Sequence, residues 1–116
     1  MEQLLKAIAD PIRLKAAFLL TLGELCICDL YTILKLPQTT VSRHMQYMKK
    51  RGWVLSEKRG RWMYYRLAPA KNEFHMALLK AIAQALRKNP QFHKLMARRQ
   101  DWLINEKCKI STDKSK

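Results

Sequence analysis

Gln38-Thr39-Thr40-Val41-Ser42-Arg43-His44-Met45-Gln46-Tyr47-Met48-Lys49-Lys50-Arg51-Gly52 carries two patterns at once. Val41, Met45 and Met48 recur at i, i+4 and i+7, the period of a helix with one buried stripe. Thr39, Ser42, Arg43, Gln46, Lys49 and Lys50 occupy the rest of its surface, and Gly52 ends it. Pro37 stands in front, so the helix begins near Thr39, and a tight turn separates it from what precedes. Its first turn holds short hydroxyl and amide side chains. Its last turn is basic.

Upstream, Leu4, Leu5 and Ile8 suggest a short first helix. Asp10-Pro11 is a strong start signal for a second, an N-cap acid followed by proline at the first helical position. That helix carries Ile12, Leu14, Ala17, Phe18 and Leu20, apolar nearly all round, and belongs at the centre; Gly23 stops it. A third short helix starts near Asp29 and runs through Leu30, Ile33 and Leu34 towards Pro37. Downstream the pattern changes to strand, the one place with strand signals. Val54 to Lys58 and Arg61 to Leu67 are rich in β-branched and aromatic residues, with Arg59-Gly60 as the hairpin turn. Trp62, Tyr64 and Arg66 fall on one face and Met63, Tyr65 and Leu67 on the other.

Pro69 closes the hairpin. A long fifth helix takes in Phe74, Leu78, Ile82, Ala85 and Leu86, with a break at Asn89-Pro90. Phe92, Leu95, Met96, Trp102 and Leu103 continue a helical period beyond it. The order predicts a mainly α domain with a β-hairpin wing, a winged helix-turn-helix over residues 1–106, and a frayed polar tail over 107–116.

Composition agrees with one domain. The chain has 116 residues, 48% of them hydrophobic, so disorder is not expected despite the charge. The longest apolar run, Ala16 to Leu20, is far short of the ~20 residues that cross a bilayer, and no secretory signal is visible at Met1-Glu2-Gln3-Leu4. Three cysteines make a poor disulfide framework and point to the reducing cytoplasm. Lys+Arg number 23 against nine acids, a net charge of +14, which calls for a polyanion: nucleic acid first, an anionic membrane surface second. With three glycines and nine acids, no nucleophile–base pair, phosphate loop or paired carboxylates can be assembled, so an enzyme is not expected.

The helix at 38–50 has what a major-groove reader needs. Gln38, Thr39, Thr40 and Ser42 lie where backbone and bases come closest, and Arg43 can reach guanine or phosphate. His44 suits packing or a phosphate contact. Lys49, Lys50 and Arg51 stand at the far end, where phosphates flank the groove. Lys58, Arg59, Arg61 and Arg66 give the hairpin a basic tip and stem, suited to the minor groove or the backbone. A solvated basic helix and a charged turn would be the bland alternative. Charge, turn and hairpin agree in order, which favours double-stranded DNA.

Four stretches also resemble the ArsR/SmtB metalloregulatory repressors. Gln38 to Met45 is similar to their recognition helix, and Glu24-Leu25-Cys26-Ile27-Cys28-Asp29-Leu30 to their metal box. Arg61-Trp62-Met63-Tyr64-Tyr65-Arg66-Leu67 resembles the end of their wing, and Asp10-Pro11-Ile12-Arg13-Leu14 the opening of their second helix. The resemblance covers about residues 1–90 and points to the arsenical-resistance branch. It implies a homodimer paired through first and last helices; two recognition helices on a dyad would read an inverted-repeat operator.

Cys26 and Cys28 are the residues on which sensing would turn. On a regular helix they would point about 200° apart and could not share an ion; in extended backbone they lie on one side. A shared ligand therefore demands that this stretch be non-helical or become so. Thiolates favour soft ions, and trivalent arsenic or antimony suits such a pair plus one more sulfur. The branch commonly places a third cysteine where this chain has Tyr31. Cys108, a small thiol or water could complete the set. The plain alternative is two small buried hydrophobes.

Arsenite or antimonite is thus the expected inducer, with Cys26 and Cys28 as ligands and no organic cofactor. Thiol oxidation is a second reading. Cadmium or lead sensing is disfavoured, because related sensors add cysteines before the pair and none precedes Cys26 here. A zinc site of the family's second type would need Glu73 and His75 plus ligands at Leu86 and Asn89, which cannot serve; His75 is expected at the surface or an interface. A constitutive DNA-architectural protein with structural cysteines is the alternative from another class.

Overall fold

A computed structural model describes residues 2–106; Cys108 and the tail over 107–116 lie outside the described residues. The helices are α1 (Glu2–Ile8), α2 (Pro11–Thr21), α3 (Ile27–Leu34), α4 (Gln38–Lys50), α5 (Glu73–Lys80) and α6 (Pro90–Asp101). The strands are β1 (Leu25–Cys26), β2 (Val54–Arg59) and β3 (Trp62–Leu67). This is a winged helix-turn-helix, mainly α, as the order of patterns predicts.

Caps and periodicity account for the helical frame. The Asp10 carboxylate accepts the N–H groups of Ile12 (2.8 Å) and Arg13 (3.2 Å) ahead of Pro11, opening α2 where the sequence indicates. Ala16 to Leu20 are buried at the centre, and α2 packs on α1, α3, α4, α6 and β3. Phe18 meets Phe92 of α6 edge-on at 5.3 Å, and truncating so buried a ring to alanine typically costs about 3–5 kcal/mol. Val41, Met45 and Met48 all point inward, so the buried stripe of α4 is the one its spacing predicts.

Three boundaries differ from expectation. Helix α3 starts at Ile27, not near Asp29, because Cys26 and Asp29 form a capping box. Helix α4 starts at Gln38 after Pro37, one residue early. The wing turn is Gly60-Arg61 rather than Arg59-Gly60: β2 extends to Arg59, which pairs with Trp62. Gly60 has φ +63 and Arg61 does not share the positive sign, the arrangement in which glycine leads a two-residue turn.

One strand was not expected. Residues Leu25 and Cys26 pair antiparallel with Tyr65 and Tyr64, giving a sheet of order β1-β3-β2. Two residues are too few to carry a period-2 signal. The pairing anchors the segment before α3 to the wing.

Beyond the wing, α5 relaxes into a π-helical turn (Ala81–Ala85) and a 3-10 turn (Leu86–Lys88) before Asn89 caps α6 and Pro90 opens it. The break at Asn89-Pro90 stands as expected. Helix α6 folds back on α2 and α3, burying Phe92, Leu95 and, just past its end, Trp102. No described helix is long and apolar enough to cross a membrane.

Candidate functional site

The cysteine pair straddles the junction of β1 and α3. Cys26 is extended (φ −73, ψ 156) and Cys28 is in the first helical turn. The Sγ of Cys26 accepts the N–H of Cys28 at 3.4 Å, so the first sulfur turns towards the second residue. The departure from regular helix is confined to Cys26, since Ile27 and Cys28 are already helical. Both residues are buried, at 1% and 8% exposure, so nothing large enters without movement.

Asp29 closes the arrangement. Its Oδ2 accepts the Cys26 N–H at 2.8 Å; its Oδ1 takes the Trp102 indole N–H at 2.8 Å and the Cys28 thiol at 3.9 Å. A buried carboxylate is tolerable only with such donors. Burial pushes the guanidinium of Arg99, on α6, below its usual pKa, and the Asp29 charge opposes that shift. Two sulfurs form a soft donor set that fits a thiophilic ion. Among the described residues, no group of three or more His, Cys, Asp or Glu side chains is arranged to hold a metal ion. Tyr31 is half-buried on α3, and Cys108 lies outside the described residues.

The basic helix presents Gln38, Thr39, Arg43, Lys49 and Lys50 to solvent, with Thr40, Ser42 and His44 half-buried beside them. On the wing, Lys58, Arg59, Arg61 and Arg66 are exposed. Arg59 is nonetheless engaged. It grips Glu24 through two bonds (2.7 and 3.0 Å) and Glu57 through a third (2.7 Å), and lies over the Tyr64 ring. The hydrogen bonds it donates to Glu57 and then to Glu24 raise its pKa, so it stays charged throughout. Glu57 also lies 3.7 Å from Arg66. Glu24 is far away in sequence, so this pairing was not legible there.

Sequence reasoning passed over three further groups. Arg13 and Tyr47 join Arg51, which the sequence places at the basic end of α4, at the corner of α1, α2 and α4, with both guanidiniums over the Tyr47 ring at 4.1 and 3.6 Å. Asp29 and Trp102 were read only as a motif residue and a core residue; an acid three positions after Cys26 was the available signal. His75 is a correction. It is fully buried, not at the surface, edge-on to Trp53 at 4.7 Å, with Nδ1 accepting the Lys71 N–H at 3.1 Å. Asn72 caps α5 by accepting the His75 N–H, which turns that ring inward.

The chain is similar to known proteins. The pattern described as "Bacterial regulatory protein, arsR family" matches residues 10–55, the stretch from the Asp10 cap through the cysteine pair and α4 into β2. The arsenical resistance operon repressor of Escherichia coli K12 is 47% identical over 68 residues, 58% of this chain and 58% of that one. The chain thus spans under two thirds of that relative's length. An arsenic resistance transcriptional regulator of Pseudomonas putida KT2440, ArsR2, is 36% identical over 81 residues, covering 69% of this chain and 70% of that one. Among solved structures, the homodimeric winged helix-turn-helix DNA-binding domain of Mb0332 from Mycobacterium bovis superposes with TM-score 0.62 at 27% identity, over 77% of this chain and 80% of that one. Fold, cap, cysteine box and basic helix occur here in one order, and the chain belongs to the arsR family of bacterial regulatory proteins.

Proposed function

We propose that the protein is a homodimeric transcriptional repressor that binds an inverted-repeat operator and releases it when trivalent arsenic or antimony binds Cys26 and Cys28. The observation that carries this reading is the position of the pair. Its two residues form the cap and first turn of α3, the helix that packs directly on α4. Any ligand that rearranges the two sulfurs acts on the first turn of the helix supporting the DNA reader. The bound ion supplies a strong, directional preference for sulfur. This chain supplies the rest: two thiols, the carboxylate that holds their backbone, and a short β1 that ties them to the wing.

Exposed apolar residues support the dimer. Leu5 on α1 and Met76 on α5 are each 45% exposed, while α6 spends its apolar side on α2 and α3. Pairing through first and last helices, as the resemblance implies, would use Leu5 on α1 together with an exposed apolar residue late in the chain, Met76 on α5 or Ile104 beyond α6 (59% exposed). The net charge of +14 supports a polyanionic partner.

The test is operator binding by parent, Cys26→Ser and Cys28→Ser with rising arsenite, antimonite, cadmium and zinc. The parent is expected to release DNA with the two metalloids, and both variants to stay bound. Serine keeps the shape but not the soft sulfur. At Cys26 it is also a better cap, offset by burying a hydroxyl, so stability should stay within about 1 kcal/mol of the parent. Release by both variants at parental arsenite concentrations would show that the sensor lies elsewhere. Release by cadmium alone would favour the divalent-ion reading.

A further inference from the structure

Arg13 opens α2 and makes contacts on three sides. Its Nε donates to the carbonyl of Ala7 at 2.6 Å and its Nη2 to that of Lys6 at 3.2 Å, holding the C-terminal end of α1. Its Nη1 meets Nδ1 of His44, on α4, at 3.1 Å. A guanidinium has donors only, so Nδ1 of His44 must accept. A neutral imidazole that accepts at Nδ1 carries its one hydrogen on Nε2. His44 Nε2 makes no hydrogen bond within the described residues, and it is not among their buried unpartnered atoms. It is therefore a donor open to solvent. On the wheel of α4, His44 lies with Thr40 and Tyr47 on the flank towards α2, one side of the outward-facing Arg43 and Lys50. The flank of a helix in a groove faces sugar-phosphate, which offers acceptors only.

We propose that Arg13 is a positioning residue for DNA binding: it holds His44 in the Nε2–H tautomer, so that this nitrogen donates to a backbone phosphate oxygen of the operator. The role rests on the DNA-binding reading above. It also links the end of α1 to the reading helix through one side chain. Lysine would be a poor replacement for Arg13, because its ammonium lacks the planar fork whose separate nitrogens reach the Lys6 and Ala7 carbonyls and the His44 ring.

Three substitutions separate the parts. His44→Asn retains a group near Nδ1 for Arg13 and loses the outward donor. His44→Gln reaches outward with its amide and no longer depends on a tautomer. Arg13→Met removes the tie. The first reading is the nitrogen and carbon NMR signature of the His44 ring in DNA-free protein. The parent should show Nε2–H, and Arg13→Met a mixture of tautomers. The second reading is affinity for operator and for unrelated duplex across a salt series. Arg13→Met and His44→Asn should each weaken both duplexes by about ten- to a hundredfold, the effect of losing a hydrogen bond to a charged group. A neutral donor releases no counterion, so the salt slope should not change. In the His44→Gln background, Arg13→Met should cost little more.

An Nδ1–H ring in the parent overturns the proposal. So does parental affinity in His44→Asn, or a salt slope that falls by about one per protomer in Arg13→Met, which would mean that Arg13 itself touches phosphate. The tautomer is read without DNA. A parent that binds no duplex overturns the DNA reading and the phosphate role with it; a parent that binds operator with the wrong tautomer overturns this proposal alone.

Discussion

The indole N–H of Trp102 donates to the Asp29 carboxylate at 2.8 Å, a buried bond spanning 73 positions of sequence. It fastens the end of α6 to the first turn of α3, against the same carboxylate that holds Cys26 and Cys28. The end of α6 thus lies against the carboxylate of the cysteine box.

Trp102→Phe keeps an aromatic side chain, a smaller one, and removes the donor. The buried carboxylate then loses one partner, and stability should fall by about 1–3 kcal/mol in a denaturant titration. Cys26 and Cys28 should react faster with a thiol reagent under native conditions. Unchanged thiol reactivity would mean that α6 does not limit entry.

The wing arginines are not equivalent. Arg59 is held by Glu24 and Glu57, whereas Arg61 makes no ion pair within the described residues. If roughly six to ten side chains of a dimer reach phosphates, log affinity should fall with log salt with a slope of about −5 to −9. Arg61→Ala should flatten that slope for every sequence, and Arg59→Ala should do so less. Equal losses, measured by salt titration of both variants, would show that Arg59 exchanges its carboxylates for DNA. A flat response in the parent would remove the DNA reading.

Base readout is expected from the first turn of α4. Ser42→Ala and Gln38→Ala should weaken operator binding by about 1–3 kcal/mol while leaving unrelated DNA nearly untouched. Competition between operator and random duplex checks this. Loss on both alike would assign these residues to the backbone.

His75 predicts an acid sensitivity. Burial first, and then the Lys71 charge, lower its pKa from the ordinary 6.5, and its Nε2 is buried with no hydrogen-bond partner among the described residues. The unfolded chain therefore takes up this proton at a higher pH than the folded one does. Between the two values stability rises with pH, so it is lost as pH falls below about 6.5 and levels off under the folded value. His75→Gln, which cannot take the proton, should show a smaller drop in urea midpoint from pH 7.5 to pH 5.5. An identical drop would place the sensitivity on another group.

What the residues settle alone is local. The α2 start follows from Asp10-Pro11, the buried stripe of α4 from the spacing of Val41, Met45 and Met48, and the α6 start from Asn89-Pro90; each is an interaction within one or two helical turns. The hairpin was legible for the same reason, although its turn lies one residue further on, because strand propensity does not decide which residue takes the positive φ. The cysteine pair was visible as a pair, and a non-helical backbone as the requirement for a shared ligand.

Tertiary structure decided the rest. Strand β1 is two residues long and exists because β3 has an open edge beside it. The Arg13–His44, Arg59–Glu24 and Asp29–Trp102 contacts join residues 31, 35 and 73 positions apart. No periodicity encodes such separations, since each depends on how the helices cross and the sheet twists around α2. Burial of His75 is of the same kind, for a histidine in a helix's first turn faces inward only where a neighbour such as Trp53 closes over it.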